Sequence, residues 1–453
     1  MKKHKLKIIL AIAVAALVYL AMVLPEKKHR HDFNIILISI DTLRADHLGC
    51  YKYNRNTSPA VDKFRKDSVL FRRCIAQSTS TLASHASILT SLIPSHHGAF
   101  FTRSQPLPGQ IETMAERLKK KNYLTVSFND GGQIAPEFGL NQGFDIYQSM
   151  NPKNKAYDLV FSVIVDKTAE WLDNRHDNQT FFLFLHTYET HHPYTPAKEY
   201  LKLFESGYKG NLPDHISVKL IDQINKGEIT LNDEDKKHIL NAYDAEIRMM
   251  DDSFGRLTDL LKKKKLYDNT MIIFTSDHGE EFGEHGIWAL HSHTLFNEQL
   301  HVPLIIKLPG SKFASSKVNR LVRSIDILPT VLDLLGEKEA KNLEGISLVP
   351  LMKGKKPGKK IFAVSQRDMQ QTYDRKYWSV MDRKWKLYDS KLYNLLKDPG
   401  ESIDASGTNR DLKRKLEKFA VYYIKKNMQG ISGKKVKMDD ELKKKLKSLG
   451  YLD

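Results

Sequence analysis

Two cysteines in 453 residues are too few for a disulfide-built scaffold or a cysteine-rich zinc protein. No internal repeat is visible. Over most of its length the chain also lacks a surplus of charge. The total of 71 Lys+Arg against 54 Asp+Glu gives +17, which by itself suggests nucleic acid, a membrane surface or a polyanion as partner. Residues 1–31 carry +6, residues 353–360 carry +5 and residues 411–453 carry +7, so the remainder sums to −1. A near-neutral body excludes a nucleic-acid-reading domain, which needs a basic face on the fold itself. What is present is a sizeable core. Hydrophobic residues make up 41% and aromatics 9%, enough to exclude a wholly disordered chain.

The N-terminus opens with lysines and runs into 17 uncharged apolar residues, Ile8 to Leu24. That run is short for a spanning helix and long for a signal-peptide core, and no small-x-small cleavage site follows it. The expectation is an uncleaved single-pass anchor in the cell membrane, with the body outside the cytoplasm. In that compartment a Cys50–Cys74 bridge is open but not demanded. Three segments result: a membrane anchor with basic flanks at 1–31, a catalytic domain at 32–346, and a small sheet with helix and basic tail at 347–453.

Short apolar runs at 34–40, 124–128, 181–185, 271–275 and 302–307 read as buried parallel strands. Helical patterns at 111–120, 166–173, 238–264 and 325–335 alternate with them, implying an α/β sheet covered on both faces. Residues 207–235 are polar and read as an insertion or lid. After about Ser347 short strands at 360–365, 377–381 and 384–388 suggest a small α+β companion.

Polar residues end the strands: Asp41, His186, and Asp277 with His278. Ligands in open α/β sheets bind beyond the carboxyl ends of strands. Two carboxylates and a histidine meeting there suit a divalent cation of the zinc or manganese kind. The stretch Ser80-Thr81-Leu82-Ala83-Ser84-His85 reads as a loop entering a helix, where a hydroxyl serves equally as a cap or as a nucleophile toward a phosphate or sulfate ester.

The stretches NIILISIDTLRADHLGCYKYNRNTSPAVDKF, TLASHASILTSLIPSHHG, EFGLNQGFD, THHPYTP, TMIIFTSDHGEEFGEHG, HTLFNEQLHVPLII, SIDILPTVLDLLG, EGISLVPLM and KLYNLLKDPGE, in this order, resemble the sulfatase-like family of the alkaline phosphatase superfamily. The resemblance implies a doubly wound mixed α/β sheet followed by a small C-terminal sheet with a helix. It also implies an ester hydrolase or phosphotransferase.

Departures from the family pattern narrow this. At the position of the Cys or Ser that becomes formylglycine stands Thr81, which is not expected to undergo that conversion. The motif arginine is replaced by His85, one carboxylate of the first acidic pair by Thr42, and a family lysine by His293. The set Asp41, Thr81, Asp277 and His278 is similar to that of the threonine-using branch, lipoteichoic acid synthases and phosphoethanolamine transferases. The resemblance therefore implies one divalent metal, zinc or manganese, with calcium also open. It assigns Thr81 as nucleophile, and His191 and His293 as leaving-group acids or oxygen clamps. His85, His186, His285 and Asn129 are further candidates for substrate contact. A second metal on Glu189, His191 and His293 is an alternative. The expected substrate is a phosphoester of a lipid headgroup or an anionic envelope glycan. The alternatives are a sulfate ester, or a non-catalytic envelope protein. The oligomeric state is left open.

Overall fold

The computed structural model describes residues 33–150, 160–175, 179–337, 340–355, 361–368, 374–426 and 435–452. The expected anchor at 8–24 lies outside the described residues. Among those described, no helix is long and apolar enough to cross a membrane.

Residues from Phe33 onward form one compact unit. Its strands, in chain order, are β1 (Asn34–Ile40), β2 (Val69–Ile75), β3 (Leu124–Asn129), β4 (Ile146–Ser149), β5 (Phe181–Thr187), β6 (Thr270–Thr275), β7 (Glu281–Phe282), β8 (Trp288–Leu290), β9 (His301–Lys307) and β10 (Lys317–Arg323). Eight of them make the central sheet, ordered β10-β2-β9-β6-β1-β5-β3-β4. β1, β5 and β6 are buried at every position, which is why each reads as an unbroken apolar run. The run at 302–307 is a strand, but it lies antiparallel to both β2 and β6 rather than parallel. Apolar continuity reports burial on two faces and carries no information about direction. Residues 207–235, expected as irregular, contain the helix Val218–Asn225, capped by Ser217.

The second sheet is antiparallel, β11 (Ala363–Gln366), β12 (Trp378–Met381), β13 (Trp385–Tyr388) and β14 (Lys391–Asn394), with the helix Arg410–Lys426 against it. Lys386 Nζ and Glu401 Oε1 form a fully buried ion pair at 2.7 Å behind this sheet. Glu401 Oε2 also accepts from the Asn297 backbone N–H at 2.7 Å, tying the small sheet to the large one.

The longest helix among the described residues, Asp233–Lys263, starts in a capping box between Asn232 and Asp235 and has acidic residues in its first turn. Its apolar stripe covers one face of the sheet. It also contributes Tyr243, whose hydroxyl donates to the Thr42 carbonyl at 2.8 Å and accepts from the Arg44 backbone N–H at 3.0 Å. These bonds fix the loop that leaves β1.

Candidate active site

Register places the site. Ser39 of β1 is level with His186 of β5 and Thr275 of β6. The next residues along these strands, Asp41 and then Asp277 with His278, emerge at the same edge. Asp41 N–H still bonds to the Thr187 carbonyl at 3.0 Å. Thr42 then turns away at φ +55°, an unusual conformation for a β-branched residue. Its hydroxyl donates to the Thr190 carbonyl at 2.7 Å, and the Thr190 hydroxyl bonds back to the Asp41 carbonyl. The β1 and β5 loops are thereby locked together.

The helix Thr81–Thr90 points its N-terminus at this edge. All ten of its residues are buried, which its small and apolar side chains allow. The Ser80 hydroxyl does not cap it. Gln133 Oε1 accepts from the Leu82 N–H at 3.1 Å and from Ser80 Oγ at 3.3 Å. Gln133 thus takes the place of a cap, and Thr81, at the first helical position, aims its hydroxyl outward. Thr81 Oγ1 donates to Asp41 Oδ2 at 3.2 Å and lies 3.4 Å from His278 Nε2. His278 Nδ1–H donates to the Gly279 carbonyl at 3.0 Å, so Nε2 faces the carboxylates.

Asp41, Asp277 and His278 bring their ligand atoms within 4.8 Å of one another, all fully buried. Asp41 Oδ1 and Asp277 Oδ2 have no hydrogen-bond partner; His278 Nε2 stands 4.0 and 3.4 Å from them. Burial raises Asp41 to about 6 against the attraction of His278. Burial and the Asp41 charge together raise Asp277. His278 is itself raised, because Asp277 and Asp41 outweigh its own desolvation. Two buried carboxylates with orphaned oxygens, an imidazole and a hydroxyl form a donor set short of positive charge, and a divalent cation fits it.

Beside this set stand three buried imidazoles, His191, His192 and His291, again with ligand atoms within 4.8 Å. His291 Nδ1–H donates to Glu280 Oε1 at 3.0 Å, and His192 Nδ1 lies 3.5 Å from Glu280 Oε2. His191 Nδ1–H donates to the His192 carbonyl. Both arrangements turn the Nε2 lone pairs of His191 and His291 into the pocket, the tautomer that a carboxylate or carbonyl behind a ligating histidine selects. Burial holds His291 down at about 4 and His191 well below its usual range, so both are neutral in the free protein.

His191 lies in this cluster, whereas His293 does not. β8 ends at Leu290, and Ser292 adopts φ +66°, which turns His291 inward and leaves His293 exposed. The second-metal set expected on Glu189, His191 and His293 becomes His191, His192 and His291. His186 is in place, its Nε2 3.4 Å from Asp41 Oδ2, and burial lowers it to about 3. His85 lies beneath the site. Its Nδ1–H donates to the Thr81 carbonyl at 2.8 Å and its Nε2 is 2.9 Å from Ser39 Oγ, so it positions the helix rather than meeting an ester. His285 is spent elsewhere: Nδ1 bonds Glu298 Oε1 at 2.6 Å and the ring stacks on Phe296. Asn129 is a turn former, accepting from the Gly131 N–H and Ser149 Oγ, each at 2.9 Å, and donating to Ser127 Oγ at 3.0 Å. Cys50 and Cys74 are both free thiols.

Sequence reasoning missed His192, His291, Glu280 and Tyr451. The first three had a signal, since they sit in the same histidine-rich stretches as His191 and His278. Tyr451 had none, because nothing in a C-terminal Leu-Gly-Tyr-Leu marks a contact 370 residues away.

The sulfatase family model matches residues 33–337, and the model for the C-terminal region of N-sulphoglucosamine sulphohydrolase matches residues 283–426. The chain is 24% identical over 431 residues to an N-acetylglucosamine-6-O-sulfatase of Bacteroides thetaiotaomicron, covering 77% of this chain and 76% of the relative. It is 23% identical over 405 residues to the multifunctional alkaline phosphatase superfamily protein PehA of Trinickia caryophylli, covering 72% and 78%. Among solved structures it is similar to one in complex with D-glucosamine-2-N,6-O-disulfate (TM-score 0.72, 21% identity, 87% of this chain and 99% of that one). It is also similar to a phosphonate monoester hydrolase of Agrobacterium radiobacter (TM-score 0.69, 20% identity, 87% and 96%). None of these relatives is a lipoteichoic acid synthase or a phosphoethanolamine transferase.

Proposed function

This chain belongs to the sulfatase family, and we propose that it cleaves sulfate esters carried by an anionic glycan, with the Thr81 hydroxyl as nucleophile. It is a sulfatase-family ester hydrolase of the alkaline phosphatase superfamily. The observation that carries the reading of the site is the meeting of Thr81 Oγ1 with Asp41 Oδ2 at 3.2 Å and His278 Nε2 at 3.4 Å, beside two orphaned carboxylate oxygens.

Asp41, Asp277, His278 and the Thr81 hydroxyl would hold a divalent cation, whose charge would lower the hydroxyl pKa and offset charge on the ester oxygens. Asp41 Oδ2 takes the hydroxyl proton as Oγ1 attacks. The sugar–oxygen side of the ester departs toward His191 and His291. Those imidazoles are neutral in the free protein, but an anionic ester beside them favours their protonated forms. Proton uptake therefore accompanies substrate binding, and His191 returns that proton to the leaving alkoxide; water deprotonated by the now neutral His191 then attacks the sulfur of the Thr81 ester, sulfate leaves, and Asp41 returns its proton to Thr81 Oγ1. A second cation on His191, His192 and His291 is the competing arrangement, and the metal content of the loaded protein, one or two per chain, decides between them.

A second reading keeps the same first half and changes the ester. Thr81 carries a methyl on its β-carbon and cannot yield an aldehyde, so its alkoxide attacks directly. Direct attack suits a phosphodiester or phosphonate of a lipid headgroup or envelope polymer. The apolar run at 8–24 and the basic segments favour that substrate if the chain is tethered at a membrane surface.

The test strips the protein with chelator, reloads it with zinc, manganese or calcium singly, and assays nitrophenyl sulfate, O-sulfated glucosamine and nitrophenyl phenylphosphonate. Metal-restored sulfate turnover that Thr81→Ala abolishes supports the first reading. Turnover of the phosphonate alone selects the second. Sulfate turnover that survives Thr81→Ala overturns the mechanism.

A further inference from the structure

The helix at 440–448 and the turn after it reach the nucleophile. The helix Asp440–Ser448 is capped by Asp439 and seats Leu442 and Leu446 in the core of the body. It ends in a Schellman turn. Tyr451 N–H bonds to the Leu446 carbonyl at 2.9 Å and Gly450 N–H to the Lys447 carbonyl at 3.0 Å, with Gly450 at φ +76°. A β-carbon on Gly450 would lie 3.1 Å from His192 Nε2, so the turn runs directly over the histidine cluster. It delivers the Tyr451 hydroxyl to 3.0 Å from Thr81 Oγ1, 2.8 Å from His191 Nε2 and 3.3 Å from His291 Nε2. The Tyr451 ring also packs at 5.6 Å from Phe101 and 5.3 Å from His191.

That hydroxyl is where substrate has to go. A reacting sulfur or phosphorus must approach a nucleophilic oxygen to roughly 3–3.5 Å. An oxygen already 3.0 Å from Thr81 Oγ1, and clasped by the two imidazoles on the leaving-group side, fills that space. Leaving breaks the hydroxyl contacts and lifts Tyr451 and Leu452 from the core, but the movement can stay local, because Leu442 and Leu446 anchor the helix upstream of the turn. A cavity of about 230 Å³ also lies alongside this helix, bounded by Asp130, Gly131, Leu442 and Lys445.

We propose that the Gly450–Tyr451 turn is a resident gate on the active site: the Tyr451 phenol oxygen occupies the subsite of the ester group, and substrate binds by displacing it. This deepens the ester-cleavage reading and rests on it for the identity of the displacing group. In the gated enzyme every substrate competes with a tethered phenol, so the gate acts on KM and leaves the chemical step alone. It discriminates against esters whose carrier does not engage enough of the pocket to displace the turn.

The experiment uses the full-length, metal-loaded chain with Tyr451→Phe and Tyr451→Ala. The single phenol hydrogen can be donated to only one of its three close acceptors, and one hydrogen bond of ordinary strength makes a loss of competition worth about tenfold in KM. Tyr451→Ala is expected to lower KM by that factor at unchanged kcat, with Tyr451→Phe lying between it and the native chain. Orthovanadate, an oxyanion probe that needs no turnover, is expected to bind Tyr451→Ala about tenfold tighter by the same reasoning. In the native chain it is expected to speed amide hydrogen exchange at residues 449–452. An unchanged KM and vanadate affinity, or a kcat that collapses in both variants at unchanged thermal midpoint, overturns the gate. No turnover of any ester, with vanadate still bound tighter by Tyr451→Ala, sinks the ester-cleavage reading and leaves the gate standing.

Discussion

Thr81 Oγ1 and Asp41 Oδ2 stand 3.2 Å apart although 40 residues separate them in the chain. One sits at the first turn of a fully buried helix and the other just past a central strand. The meeting depends on two local choices. Gln133 satisfies the helix N-terminus in place of a hydroxyl, and Thr42 takes a left-handed turn that stops Asp41 from following its strand.

The nucleophile comes first among the consequences. Thr81→Ala is expected to lower kcat/KM by about a thousandfold or more, since it removes the attacking atom, while Thr81→Ser keeps most of the activity. Steady-state kinetics on the preferred ester, with circular dichroism to confirm the fold, checks both.

Metal affinity should depend on pH in one direction. Asp41 sits at about 6 without a cation, so its proton competes with the metal below that pH and is absent well above it. Calorimetric affinity is expected to weaken on acidification from the pH range of the raised His278 imidazole downward, and to steepen further below about pH 6 as the Asp41 proton joins the competition. An affinity that rises on acidification would be the wrong sign.

His291 and His293 separate cleanly. His291→Ala removes one of the three converging imidazoles and is expected to cost about a hundredfold in kcat/KM, within the usual range for a positioned acid or base. His293→Ala changes an exposed side chain outside the three-imidazole cluster, within electrostatic reach of Glu280 and His192, and is expected to cost less than about fivefold. Equal losses in the two variants would reject the inward placement of His291.

Stability offers an independent check on the small sheet. Lys386→Met leaves Glu401 as an unpaired buried carboxylate and is expected to cost about 3–5 kcal/mol. Urea unfolding measures it. The double change Lys386→Met with Glu401→Leu should recover much of that loss, because a buried pair repays little beyond its own desolvation.

The fold was legible where burial on both faces wrote itself as unbroken apolar runs, as in β1, β5 and β6. It was less so at the flanks. β2 reads VLFRRCI and β10 reads KVNRLVR, and their charged residues hide the strand pattern. Asp41, Thr81, Asp277 and His278 were legible because each sits at an element boundary, where polar residues interrupt apolar runs. His291 was lost to a one-residue turn: the left-handed Ser292 decides which histidine faces inward, and serine is not a residue that marks such a turn. Tyr451 shows a different limit. Its role depends on where a nine-residue helix docks, and that is set by Leu442 and Leu446 finding a core built from the other end of the chain.

The most direct measurement follows Thr81 during turnover. Metal-loaded protein is mixed with excess ester, quenched in acid within the first turnovers, digested and examined by peptide mass spectrometry. The account expects the peptide containing Thr81 to carry one added sulfuryl or phosphoryl group, on the threonine oxygen, and to lose it as substrate is exhausted. An unmodified Thr81 peptide at every time point, in protein whose turnover is undiminished by Thr81→Ala, would contradict it.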